Sequence, residues 1–159
     1  MSYKGSKTPQ REDVILFKDP DNLFRDLVKR CMGMPGEVLE FKNGSLYVNG
    51  EYYHEDFLKE KYNEDSGPYY VPKKSDNVTI DKNGYCYIND YYVGGPEFLK
   101  NYCKEQDAQY IVKQDCYFML GDNCNNSYDS RYWNNRFVTE RHIRGKLSIK
   151  IYPKLSKFE

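Results

Sequence analysis

A mainly β protein, built of antiparallel sheets with minor short helices, is what the 159-residue sequence predicts, on three observations. Its apolar or alternating runs are short and bounded by turn formers, as strands are. Asn-Gly pairs separate several of these runs, and that dipeptide is the strongest local hairpin signal. Stretches of helical period are brief, while 17 tyrosines at a mean hydropathy of −0.91 favour half-buried pleated surfaces.

Residues 1–10 are polar and turn-prone, a tail before a domain over 11–159. Strand character follows at Val14 to Phe17, Leu27 to Met32, Val38 to Phe41 and Leu46 to Val48. Asn43-Gly44 and Asn49-Gly50 make the last of these a meander. Residues 51–112 follow their own pattern and read as a family-variable insert. Within it, Asp56 to Tyr62 is expected as a short helix, and Tyr69 to Pro72, Val78 to Ile80 and Tyr85 to Ile88 as strands. Pro96 opens a second helix reaching Lys104, with proline in the first turn and apolar residues three to four apart. The acidic and basic residues of the insert interleave as on a solvated face, so no chemistry is assigned to it. Order returns at Tyr110 to Lys113 and Cys116 to Leu120. The alternation from Leu147 to Tyr152 predicts a last strand, ended by Pro153.

Composition excludes several roles. The 24 basic and 24 acidic residues form no single-sign stripe, so no nucleic-acid partner is expected. The longest apolar runs fall far short of the ~20 residues a membrane-spanning helix needs, and no signal-peptide pattern opens the chain, which is expected to be soluble as given. The five cysteines form no Cys-x-x-Cys pair and His54 lies far from His142, so neither a metal nor another cofactor is expected, and any disulfide pairing stays open.

Two segments carry the chemistry. Gly121-Asp122-Asn123-Cys124-Asn125-Asn126-Ser127-Tyr128-Asp129-Ser130-Arg131 follows the strand Cys116 to Leu120 as a polar loop, the place where a rigid scaffold presents side chains. Leu27 to Glu37 sets Lys29 inside an apolar strand before a Gly-Met-Pro-Gly turn. A lysine facing inward is costly unless it loses its charge, and desolvation then makes the amine a usable base.

Together these segments resemble the type I signal peptidases, membrane-bound serine proteases that remove signal peptides from exported proteins. Arg11-Glu12-Asp13-Val14-Ile15-Leu16-Phe17 is similar to that family's Arg-Gly-Asp strand, with Glu12 in place of glycine. Lys29-Arg30 with Gly33-Met34-Pro35-Gly36-Glu37 is similar to its Lys-Arg…Gly-Leu-Pro-Gly-Asp block. The loop is similar to Gly-Asp-Asn-Arg…Asn-Ser-x-Asp-Ser-Arg, with Cys124 where arginine is usual and Asn134 where glycine is usual after the tryptophan. The resemblance implies antiparallel sheets of the signal peptidase type and a Ser/Lys dyad. Lys29 would be the general base, sheltered by Val28, Cys31 and Met32, and Ser127 would orient its amine. Asp129 and Arg131 would pair to hold the loop. Gly121, Asp122, Asn123 and Ser130 would support it, the polar side chains satisfying turn amides. The implied partners are preprotein signal peptides with small residues before the cut, bound by strand addition at an open sheet edge. A membrane surface would be reached through a missing N-terminal anchor, on the extracytoplasmic face of a bacterial plasma membrane.

That family's nucleophile lies in a Ser-x-Met-x-Pro-Thr-like segment before the Arg-Gly-Asp strand. Ser6 sits in a Ser-x-x-Pro pattern, but it abuts the next strand, lacks the methionine and precedes Lys29 by only 23 positions. The nucleophile is therefore unknown and expected outside this chain. An alternative is a non-catalytic module that binds extended preprotein or pilin segments. Lys29, Ser127, Asp129 and Arg131 favour the enzyme, because a binder has no need of a sheltered amine beside a hydroxyl. A self-cleaving Ser/Lys repressor would want a DNA-binding helix pair, and an unrelated tyrosine-rich sugar-binding module would leave the motif spacings as accidents.

Overall fold

The computed structural model describes residues 8–147, so Ser6 and all but the first residue of the expected Leu147 to Tyr152 strand lie outside the described residues. β1 (Val14–Asp19) and β2 (Asn22–Gly33) form a long antiparallel ribbon. β3 (Val38–Lys42), β4 (Ser45–Val48) and β5 (Glu51–Tyr53) continue as the expected meander. Both Asn-Gly pairs take positive φ at both residues, 53° and 80° at Asn43-Gly44 and 51° and 82° at Asn49-Gly50, which matches the twist of the hairpins they close. β6 (Ser66–Tyr70) returns to pair with β3.

β7 (Asn77–Ile80), β8 (Cys86–Ile88) and β9 (Tyr91–Gly94) lead into helix α1 (Pro96–Tyr102), then β10 (Cys103–Gln106) and β11 (Gln109–Val112). These five strands make one sheet in the order β10-β11-β7-β8-β9. The second expected helix thus forms but stops at Tyr102, because Cys103 and Lys104 are taken into pairing with Val112 and Ile111. The first does not form. Residues 56–62 cross the molecule as an irregular strap, and the amides a helix would use go elsewhere, Tyr62 N to Gly44 O and Asn63 N to Asn125 Oδ1.

β12 (Cys116–Leu120), β13 (Val138–Thr139) and β14 (Ile143–Lys146) complete the first sheet, in the order β13-β12-β2-β1-β14. All strand pairings among the described residues are antiparallel, so these residues are mainly β with one short helix and one 3-10 turn. Both faces of β12 are covered. Phe118 and Leu120 join the core of Leu39, Phe41, Phe98 and Phe137, while Tyr117 and Met119 join Ile15, Phe17, Trp133 and Val138. This is why β12 reads as an unbroken apolar run rather than an alternation. No helix of the described residues is long and apolar enough to cross a membrane.

Candidate active site

The register of β12 on β2 ends at Leu120 opposite Arg30, so from Asn22 to Lys29 β2 is paired by β1 alone among the described residues. The chain leaving β12 turns around this open edge. Strand alternation puts Arg30 and Met32 on one face and Lys29 and Cys31 on the other. Accordingly, the loop reaches β2 on both sides. Asp122 receives the Arg30 guanidinium through both oxygens, at 2.9 and 2.7 Å. Five residues later, Lys29 Nζ donates to Ser127 Oγ at 3.0 Å, across 98 positions of sequence.

Lys29 is half-buried and its pKa is lowered, first by desolvation and further by the Arg131 charge, with Asp129 and Asp122 opposing. The shelter differs from the expected one. Val28 is 48% exposed and points away, so it keeps no water from the amine. Cys31 is buried on Lys29's own face, Met32 is buried on the other, and the loop supplies the remaining cover. Gly121 makes that approach possible: a Cβ there would lie 2.0 Å from Ser127 Oγ and 3.3 Å from Lys29 Nζ.

Asp129 and Arg131 form a fully buried bidentate pair, Nε to Oδ1 and Nη2 to Oδ2 both at 2.9 Å. Arg131 Nη2 also donates to Cys124 O at 2.7 Å, so one guanidinium ties both ends of the turn that carries Ser127. Gly121 N donates to Asp129 Oδ2, and Ser130 Oγ accepts from Met119 N at 2.8 Å. Within the loop the Asp129 side chain thus accepts from Gly121 N and Arg131 N, and the main-chain carbonyl of Asn123 accepts from Asn126 N. The Asp122 carboxylate also holds the Arg30 guanidinium.

Sequence reasoning assigned no role to Arg30 or to the strap. Arg30 stacks over Phe57 at 4.1 Å, and Arg131 lies over the rings of Phe41 and Tyr62, each 5.4 Å away. Glu12 has φ 73°, a left-handed backbone that explains a preference for glycine at its position. Its carboxylate accepts from Tyr53 OH at 2.8 Å, and its carbonyl accepts from Arg30 Nη1. All five cysteines are buried free thiols.

The chain is similar to known proteins in sequence and in fold. The family model described as signal peptidase, peptidase S26 matches residues 1–152. Signal peptidase I of Pseudomonas aeruginosa is 33% identical over 152 residues, covering 87% of this chain and 47% of that protein. Signal peptidase I V of Bacillus subtilis is 32% identical over 142 residues, covering 89% and 66% respectively. The crystal structure of a signal peptidase I from Enterococcus faecalis superposes with a TM-score of 0.53 at 29% identity, covering 92% of this chain and all of that one. The chain spans about half to two thirds of the length of these curated relatives. With three blocks of motif residues brought together on and around β2 and a family match over nearly the whole chain, the protein belongs to the signal peptidase, peptidase S26 family.

Proposed function

We propose that this chain is the catalytic domain of a serine endopeptidase that removes signal peptides from exported preproteins, with Lys29 as its general base and Ser127 as the group that orients the amine. The observation that carries this reading is the 3.0 Å contact between a half-buried, desolvated lysine and a hydroxyl on a loop locked by a buried ion pair. Neutral Lys29 would take the proton of a nucleophilic serine as it attacks the scissile carbonyl, then hand it to the leaving amine. It would take a second proton from the water that hydrolyses the acyl ester. Ser127 already meets the amine, and its side chain is occupied in holding it. The nucleophile is accordingly a different serine. The free edge of β2 beside Lys29 suits an extended substrate, held by main-chain hydrogen bonds with small side chains before the cut. Anchoring to the extracytoplasmic face of a membrane belongs to the same reading.

The test is turnover of a preprotein with an Ala-x-Ala cleavage site by the full-length protein in lipid vesicles. Replacement of Lys29 by Met is expected to lower kcat by about 10²-fold to 10⁴-fold with the fold intact. Undiminished cleavage by the Met variant would overturn the role of Lys29, and preprotein binding without any turnover in the unaltered protein would favour a binding module.

A further inference from the structure

The turn of the β1-β2 ribbon is built more firmly than its exposure requires. Pairing runs regularly from Ile15 opposite Lys29 to Lys18 opposite Asp26, then jumps to Asp19 opposite Asn22, so Leu23, Phe24 and Arg25 bulge out of the ribbon. A bulge ends a pairing or re-aims a side chain. Here the Phe24 ring stands in solvent, 98% exposed, on a mount that is fixed from beneath. Asp19, fully buried, accepts from Asp21 N and from Arg25 Nε, each at 2.9 Å, and Asn22 Oδ1 accepts from Phe24 N at 3.2 Å.

A brace ties this turn to the body of the molecule. Asp21 accepts from Asn135 N at 2.7 Å and from Asn134 N at 3.0 Å. The Asn135 side chain donates to Pro20 O at 3.2 Å and accepts from Asn101 Nδ2 of α1 at 2.8 Å. Asn134 and Asn135 follow closely on the loop that sets Ser127 against Lys29, so one run of chain holds both ends of the open edge of β2.

We infer that this braced turn is a further substrate subsite, in which Phe24 receives an apolar side chain of an extended peptide several residues from the cut and Asp21 is the positioning residue that holds the ring there. The inference rests on the proposed function for the strand that enters beside Lys29.

A peptide added to the open edge pairs with β2 from Lys29 back to Asp26 and has no ladder to follow beyond, because the bulge ends the register. At ~3.4 Å per residue it comes level with Phe24 about four to six residues from the one opposite Lys29. Charge offers little at that point. Lys18 and Arg144 are paired with Asp26, and Arg25 with Asp19, which leaves the ring and the exposed Leu23 as the surface presented. Covering the ring removes apolar area from water, and a ring already held in place loses little freedom on being covered. A turn that moved freely would have to be ordered at each encounter, and the brace removes that cost.

The test is binding to the full chain, followed by fluorescence anisotropy, of peptides that carry Ala-x-Ala and a reduced, uncleavable bond at the cut. Residues about four to six from the cut are leucine or serine, on its N-terminal side in one series and on its C-terminal side in another. In one of the series the leucine peptide is expected to bind about tenfold more tightly than its serine counterpart, and Phe24→Ser to bring that ratio near unity. Asp21→Ala is expected to lower the ratio about as far, and Asp21→Asn, which keeps one acceptor, to restore part of it. A residue that only stabilised the fold would weaken leucine and serine peptides alike. Should Asp21→Ala not fold, Asn135→Ala replaces it, with a lowered ratio as the expected result. Equal binding of leucine and serine peptides in both series, or a ratio that survives Phe24→Ser, would overturn the inference. So would a ratio near unity together with partition into phosphatidylcholine vesicles that Phe24→Ser abolishes, since the ring would then belong to lipid. Because the measurement reads binding and not turnover, the subsite can stand while Lys29 fails as the base, or fail while that role stands.

Discussion

The loop 121–131 is gripped on one side by β2 and on the other by the strap, and the two grips use different chemistry. On the β2 side charges meet charges: Arg30 with Asp122, and Arg131 with Asp129 within the loop itself, both bidentate. Such pairs fix orientation through planar forks and depend little on pH near neutrality. On the strap side the contacts are an amide clasp at Asn125, a ring beneath Arg131 and one buried carboxyl that accepts from the Tyr62 hydroxyl. Geometry near Lys29 is thus set by ion pairs, and the restraint from behind is set by neutral contacts around a titratable group. Both Lys29 and Glu55 are displaced from their ordinary pKa mainly by desolvation, in opposite directions because one loses its charge by giving up a proton and the other by gaining one.

The ion-pair side is the more expensive to break. Arg131→Met strands the Asp129 carboxylate, which is fully buried, and is expected to cost about 3–5 kcal/mol in urea unfolding at neutral pH. The strap side should instead show its weight through pH. The Glu55 carboxyl rises from its usual 4.5 to about 7 on folding, so the native chain keeps a proton that the unfolded chain has already released. Its contribution is fully present below pH 4.5, is lost as pH rises to about 7 and is flat above, a decline on the order of 3 kcal/mol. Comparing urea unfolding of Glu55→Gln with the unaltered protein across that window isolates this decline, which the glutamine should abolish. Gly121→Ala is the mildest of the three. Its new methyl would displace Ser127, at about 1–3 kcal/mol, and would separate the hydroxyl from Lys29 while leaving the strap contacts in place. An unchanged Lys29 titration in that variant would show that the loop has other room to give.

The β2 side was legible in the sequence for a physical reason. Strand period, Asn-Gly turns and the polar loop after an apolar run are local signals, Lys29 stands out by residue type within them, and the roles of Ser127, Asp129 and Arg131 followed from the likeness of the loop to the signal peptidase motif. Glu55 and Tyr62 carry no such signal. They sit among alternating charges that read as a solvated face, and only the tertiary fold, by bringing the strap under Arg131, turns them inward. The expected helix over 56–62 failed on the same ground, since its amides are claimed by Gly44 and Asn125. Two further turns escaped notice because they lack glycine. Asn89-Asp90 and Asp107-Ala108 adopt positive φ at both residues and close hairpins that Asn-Gly would have announced. The outer half of β2, with Phe24 98% exposed, forms only because β1 lies beside it.

Direct titration of the Lys29 amine, by NMR of the side chain enriched at Nζ, bears on the site more closely than any other measurement. A pKa below that of the other lysines, moving toward the ordinary value when the Gly121→Ala loop uncovers it, is the expected result. An amine at or above the ordinary lysine value, indifferent to the loop, would mean that Lys29 stays charged and solvated and cannot serve as the base.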